Sequence, residues 1–151
     1  MEARLQHRRR LIQAFGALAI VPWLPSRAAD GDMPDIAVMK TFLAGRSVRW
    51  ERLTLTLPRL ADNGFAVPLH LAIEAPAAQP VRSIHLFSET NPVPDMAVFE
   101  YPVPTARVEI DSRIRLAGTQ HIVAIATVGD GTLYGASAEV IVTLAGCMDG
   151  T

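Results

Sequence analysis

Chemistry in this sequence concentrates on one side chain. Cys147 is the only cysteine among 151 residues and stands four residues before the last. A solitary thiol has no internal disulfide partner, so it is a free reactive group, half of an intermolecular bridge, or incidental. The run Ala145-Gly146-Cys147-Met148-Asp149-Gly150-Thr151 favours the first. It holds no stretch that would hide the sulfur, chain ends move unless tied down, and glycine leaves the backbone permissive. The expectation is a flexible arm over residues 145–151, in which Ala145, Gly146, Met148, Asp149 and Gly150 surround the thiol. The thiolate is the reactive form, and an unperturbed cysteine titrates at about 8.5. No cation lies close in sequence, and Asp149 opposes ionisation. A catalytic nucleophile needs a base held against it by a rigid surround, which a mobile tail does not supply. A thiol on such a tail suits a carrier, because it can enter the active sites of other proteins with a group attached.

Other reactive centres are poorly supported. The sequence holds no G-x-S-x-G elbow, no P-loop and no H-E-x-x-H pair. One cysteine excludes thiolate zinc clusters. Of the four histidines, His7 lies in the basic leader, while His70, His85 and His121 fall singly on expected strands, no two at a short ligand spacing. A metal site gathered from these in space, with a methionine for copper, is the lesser reading. No metal, no cofactor and no catalytic residue is expected. The carboxylates are scattered, so paired acid–base work has no support.

The elements that carry the thiol begin with an export signal. His7-Arg8-Arg9-Arg10-Leu11-Ile12-Gln13 precedes an apolar stretch from Ala14 to Leu24 that Pro22 interrupts, too short to span a membrane. Ser26-Arg27-Ala28 places small residues where a signal peptidase reads. Residues 1–28 are therefore expected to be a signal peptide cleaved after Ala28. Its paired arginines point to the twin-arginine route into the periplasm. Cleavage leaves 123 residues and removes five arginines and one glutamate. Nine basic and fourteen acidic residues remain, a formal charge of −5. That balance argues against nucleic acid and against an anionic membrane surface. The length fits a single domain, residues 29–144, whose core must hold without disulfides.

Within that domain Pro34 suits a first helical turn, Ile36, Met39 and Leu43 recur at helical spacing, and Gly45 suits a stop. One short helix is expected over about 34–44. The remainder reads as strands. Leu53, Leu55 and Leu57 alternate with Arg52, Thr54 and Thr56 within a strand from Trp50 to Leu57; Asp62-Asn63-Gly64 marks a turn; Val67, Leu69, Leu71 and Ile73 alternate next. Further strands are expected over Val81 to Phe87, over Met96 to Tyr101 between proline pairs, over Arg107 to Leu116, over Gln120 to Val128, and through Val140, Val142 and Leu144. Asp111-Ser112 looks like a register break, and Gly129-Asp130-Gly131-Thr132 like a hairpin turn. About seven short strands with period-2 patterning predict an all-β, antiparallel β-sandwich with a short N-terminal helix.

From about Leu53 to Cys147 the sequence resembles the SoxY sulfur-carrier family of bacterial thiosulfate oxidation. The resemblance rests on Leu57-Pro58, Ala61-Asp62-Asn63-Gly64, Val67-Pro68-Leu69, Ser83-Ile84-His85-Leu86-Phe87 and Asn91-Pro92. It continues through Arg113-Ile114-Arg115-Leu116-Ala117, Thr119-Gln120, Val123-Ala124, Asp130-Gly131 and Ala136-Ser137-Ala138, and Val142-Thr143-Leu144 leads into Gly146-Cys147. It implies an immunoglobulin-like sandwich that forms a heterodimer with a second small β-protein, SoxZ. It also implies that Cys147 is the covalent attachment site for sulfur intermediates and that Gly146 supplies a flexible approach. The carrier would be acted on by separate enzymes: an oxidising c-type cytochrome complex, a dimanganese hydrolase and a sulfur dehydrogenase. The family arm reads Gly-Gly-Cys-Gly-Gly, whereas this sequence has Ala145 for the first glycine and Met148-Asp149 after the cysteine. A different class of function, an exported sandwich that binds partners while its cysteine is incidental or forms an intermolecular disulfide, is the alternative.

Overall fold

Alternating apolar residues with β-branched neighbours favour strands, and the computed structural model, which describes residues 33–146, is built mainly from them. The expected signal peptide and Cys147, Met148, Asp149 and Gly150 lie outside the described residues. The elements run α1 (Ala37–Leu43), β1 (Val48–Arg49), β2 (Leu53–Thr56), β3 (Leu60–Ala61), β4 (Val67–Glu74), β5 (Val81–Ser88), β6 (Asp95–Thr105), β7 (Arg107–Ile114), β8 (Gln120–Val128) and β9 (Leu133–Val142).

Two sheets face one another. One has the order β2-β4-β7, the other β9-β8-β5-β6, with β1 and β3 on the far edge of β9. All pairings among the seven longer strands are antiparallel, and the split is immunoglobulin-like, with β6 on the edge beside β5 rather than in the β2-β4-β7 sheet. The fold is a β-sandwich, as the alternation predicts. The two added strands contain two residues each and run parallel to β9, where Val48 pairs with Leu133 and Leu60 with Ile141. Each is too short to show a period.

Between the sheets lies a core that includes Leu69, Leu71, Ile73, Ile84, Leu86, Ile122, Ala124 and Val140. Full burial of one such aliphatic side chain contributes about 1.5–3 kcal/mol, so this interleaved set is what holds a sandwich that lacks disulfides. The second core explains why β8 is buried nearly throughout. Its even residues enter the sandwich, while Val123 and Ile125 point to the outer face and are covered by Ile36, Met39 and Leu43 of the α1 region.

Local details differ from expectation for physical reasons. The helix is shorter than 34–44. Pro34 precedes it in a turn whose carbonyl accepts from Ile36 N–H, and Ala44 (φ 48°), ahead of Gly45, takes the left-handed cap. Arg46 donates to the carbonyls of Phe42 and Leu43 at the helix end, where a cation is favourable. Pro102 and Pro104 do not end the fourth expected strand. β6 is the sheet edge, where a missing N–H costs nothing, so it continues to Thr105. Nor is there a break at Asp111-Ser112: Leu69 pairs with Ser112 and Pro68 with Arg113 in continuous register with β4. Ser112 is a small polar residue at an inward position, where it lines two open grooves with Leu69 and Arg113. The hairpin over 129–132 forms, with Gly131 at φ 85° and Thr132 N–H on Asp130 Oδ1 at 2.9 Å.

Candidate functional site

The candidate site is the junction from which Cys147 emerges. Beyond β9 the chain is hydrogen-bonded on both sides. Thr143 N–H donates to Ala61 O (3.1 Å) and Thr143 Oγ1 to Asp62 O (2.6 Å), which ties this segment to the loop after β3. Gly64 N–H donates to Leu144 O (2.7 Å), Leu116 N–H to Gly64 O (2.8 Å) and Gly146 N–H to Leu116 O (2.7 Å). Three segments distant in sequence meet here, chiefly through their backbones.

Of the arm expected over 145–151, the described residues include Ala145 and Gly146. Ala145 is half-buried and Gly146 is buried. Gly146 is no loose approach: a buried N–H must find an acceptor, and Leu116 O provides it. The structure therefore holds the chain up to the residue before the thiol.

A polar brace sets Leu116 in place. Asn91 Nδ2 donates to Arg115 O (2.9 Å), and Asn91 Oδ1 accepts from Ala117 N–H (2.8 Å) and from Gln120 Nε2 (2.9 Å). Gln120, only 2% exposed, also accepts Thr90 N–H through Oε1 (3.1 Å). Ser88 Oγ accepts Asn91 N–H (3.2 Å). Among the described residues no buried side-chain polar atom lacks a partner. Around the junction Leu60, Phe65 and Leu144 are exposed apolar residues. The Arg115 guanidinium lies 5.9 Å from the Phe65 ring centre, a cation–π contact between the residue before Leu116 and the residue after Gly64.

The histidines have separate settings. His70 Nδ1 lies 2.8 Å from Asp111, with Glu109 4.0 Å from Nε2. His121 Nδ1 lies 3.0 Å from Glu89, and the hydrogen bonds from His121 hold the Glu89 carboxyl below its ordinary range. His85 packs against Phe42 at 4.2 Å between ring centres, and burial pushes its pKa down. Among the described residues no three His, Asp or Glu side chains converge as metal ligands. Nor, among them, is any helix long and apolar enough to cross a membrane.

Residue reasoning from the sequence placed chemistry at Cys147 but missed the brace. Asn91 and Gln120 were legible only as residues shared with a family, since their partners lie 29 residues apart.

Comparison with known proteins decides the family. The chain matches the family described as "Sulfur oxidation protein SoxY" over residues 38–147. It belongs to the SoxY family. Among solved structures it is similar to the sulfur carrier protein SoxY from Chlorobium limicola f thiosulfatophilum, at 29% identity and a TM-score of 0.57, over 71% of this chain and 96% of that one. The superoxide reductase (neelaredoxin) from Ignicoccus hospitalis aligns at 15% identity and a TM-score of 0.46, over 61% of this chain and 80% of that one. The superoxide reductase from Nanoarchaeum equitans aligns at 12% and 0.42, over 62% and 100%. No curated protein matches the sequence. SoxY membership makes the chain a sulfur-oxidation protein, and the match ends on the cysteine that the residues themselves single out.

Proposed function

We propose that this chain is a periplasmic carrier that holds thiosulfate-oxidation intermediates covalently on Cys147 and presents them to separate enzymes. The observation that supports it most is the extent of the family match, which runs to Cys147 and no further. The similar Chlorobium protein is itself described as a sulfur carrier. In the first step an oxidising enzyme joins thiosulfate to the thiol. The thiol loses its proton, an S–S bond forms, and two electrons pass to the enzyme's electron acceptor. Hydrolysis of the outer S–S bond then adds water, releases sulfate, and leaves a persulfide on the cysteine. The chain supplies the attachment atom and its presentation, and the enzymes supply oxidation and hydrolysis. A smaller SoxZ-like β-protein is the proposed heterodimer partner, and the twin-arginine signal is the proposed route to the periplasm.

Intact mass of the protein recovered from the periplasm of its own host, grown on thiosulfate, tests this. Reductant-labile sulfur or thiosulfonate adducts confined to Cys147 are expected. Cys147→Ser should carry none while it folds and binds its partner normally. A bare thiol or a plain homodimer disulfide under those conditions would overturn the carrier reading in favour of the binding-module alternative.

A further inference from the structure

Gly64 closes a motif that reads as a turn, yet a left-handed backbone is not what requires glycine there. Gly45 and Gly131 have positive φ, and Gly64 does not. What requires it is approach. A Cβ on Gly64 would overlap the carbonyl oxygen of Leu116 and stand 2.7 Å from Gly146 N. The converse holds at Gly146, where a Cβ would overlap the Gly64 carbonyl and stand 2.7 Å from Phe65 N. The obstacles are backbone atoms rather than the ends of side chains, so neither can swing aside. The hydrogen bonds Gly64 N–H to Leu144 O, Leu116 N–H to Gly64 O and Gly146 N–H to Leu116 O close the contact.

From this we infer that Gly64 is a positioning residue for Cys147: its contact with Gly146 clamps the root of the thiol-bearing segment to the sandwich. This rests on the carrier reading. The Cα of Cys147 follows that of Gly146 by one peptide, about 3.8 Å, so a fixed Gly146 limits the volume the sulfur searches. An enzyme seated on the carrier then finds, at a defined point beside Gly64 and Leu116, the place where the thiol-bearing segment leaves the sandwich. A small reagent in solution has no need of that point.

The test compares wild-type protein with Gly64→Ala, and with Gly118→Ala as a control at a site where a Cβ would meet nothing within 4 Å. Amide exchange read by NMR should show Gly146 N–H protected in the wild type and the control. In Gly64→Ala its protection should fall about ten-fold or more, while β8 amides keep theirs. If Gly64→Ala does not fold, Thr143→Val removes the bond to Asp62 O without adding bulk at the junction, and should raise Gly146 exchange by a smaller factor. In function, Gly64→Ala should lower enzyme-catalysed conjugation of thiosulfate by about ten-fold, while Cys147 reacts with a small aromatic disulfide within about two-fold of the wild-type rate. An unprotected Gly146 amide in the wild type would overturn the clamp. So would unchanged conjugation in a variant whose Gly146 amide has been released. If wild-type protein takes no thiosulfate at all, the carrier reading fails, and the exchange data still decide the clamp.

Discussion

At the scale of single residues, half-buried Asn91 and buried Gln120 show how a polar pair can serve a site it never touches. Together they satisfy the backbone at Thr90, Arg115 and Ala117, and so fix the Leu116 carbonyl that receives Gly146. Asn91→Ala would leave Ala117 N–H without its acceptor and Arg115 O without its donor, while Gln120 Nε2 keeps the Gly118 carbonyl at 3.2 Å. A part-buried orphan of this kind costs about 1 kcal/mol, the lower end of the range for a buried one, which urea denaturation should register as a lower midpoint at unchanged slope. Cys147 was legible in the sequence because reactivity belongs to a residue type. Gly64 was legible as a turn residue and as one shared with a family, but not as a contact, because its role is a close approach to a segment that sequence order does not bring near.

At the scale of elements, α1 is held by what it covers. Met39 is fully buried over Phe87, Val123 and Ile125, and Met39→Ala should cost about 2–5 kcal/mol in thermal or chemical unfolding. The same contact makes a pH-dependent element. Burial of His85 beside Phe42 lowers its pKa from 6.5, against the raising influence of Asp95 and Glu100. The unfolded chain then binds more protons than the folded one as pH falls through 6.5. Stability is therefore complete above that value and declines below it, toward the lower folded pKa. His85→Asn should flatten this limb of a urea-midpoint profile measured from pH 8 downward. A second, more acid limb belongs to Glu89, whose carboxyl is held down by His121. It contributes above the ordinary 4.5 and is lost as pH falls through its lower folded value. It should persist in His85→Asn. The seven longer strands were legible because period-2 alternation records a half-buried sheet. The continuation of β6 through two prolines was not, since only topology reveals which strand is the edge.

At the scale of the whole molecule, the two sheets depend unequally on their strands. β9 pairs with β8 on one side and with both β1 and β3 on the other, so it joins early and late parts of the chain. A chain ended after Asp130 would keep β2-β4-β7 but leave β1 and β3 without partners and one edge of β8 open. It should show no cooperative unfolding transition and should aggregate through the exposed β8 edge, as sedimentation would show. The parallel pairing has a meaning in time as well. Residues 48–61 leave the ribosome long before residues 133–142, the partners they need, exist. The domain cannot complete its sheet while it is being made, and the strand that completes it is the one that leads directly to the thiol. A chain able to display Cys147 from its clamped root is therefore one in which folding has already finished.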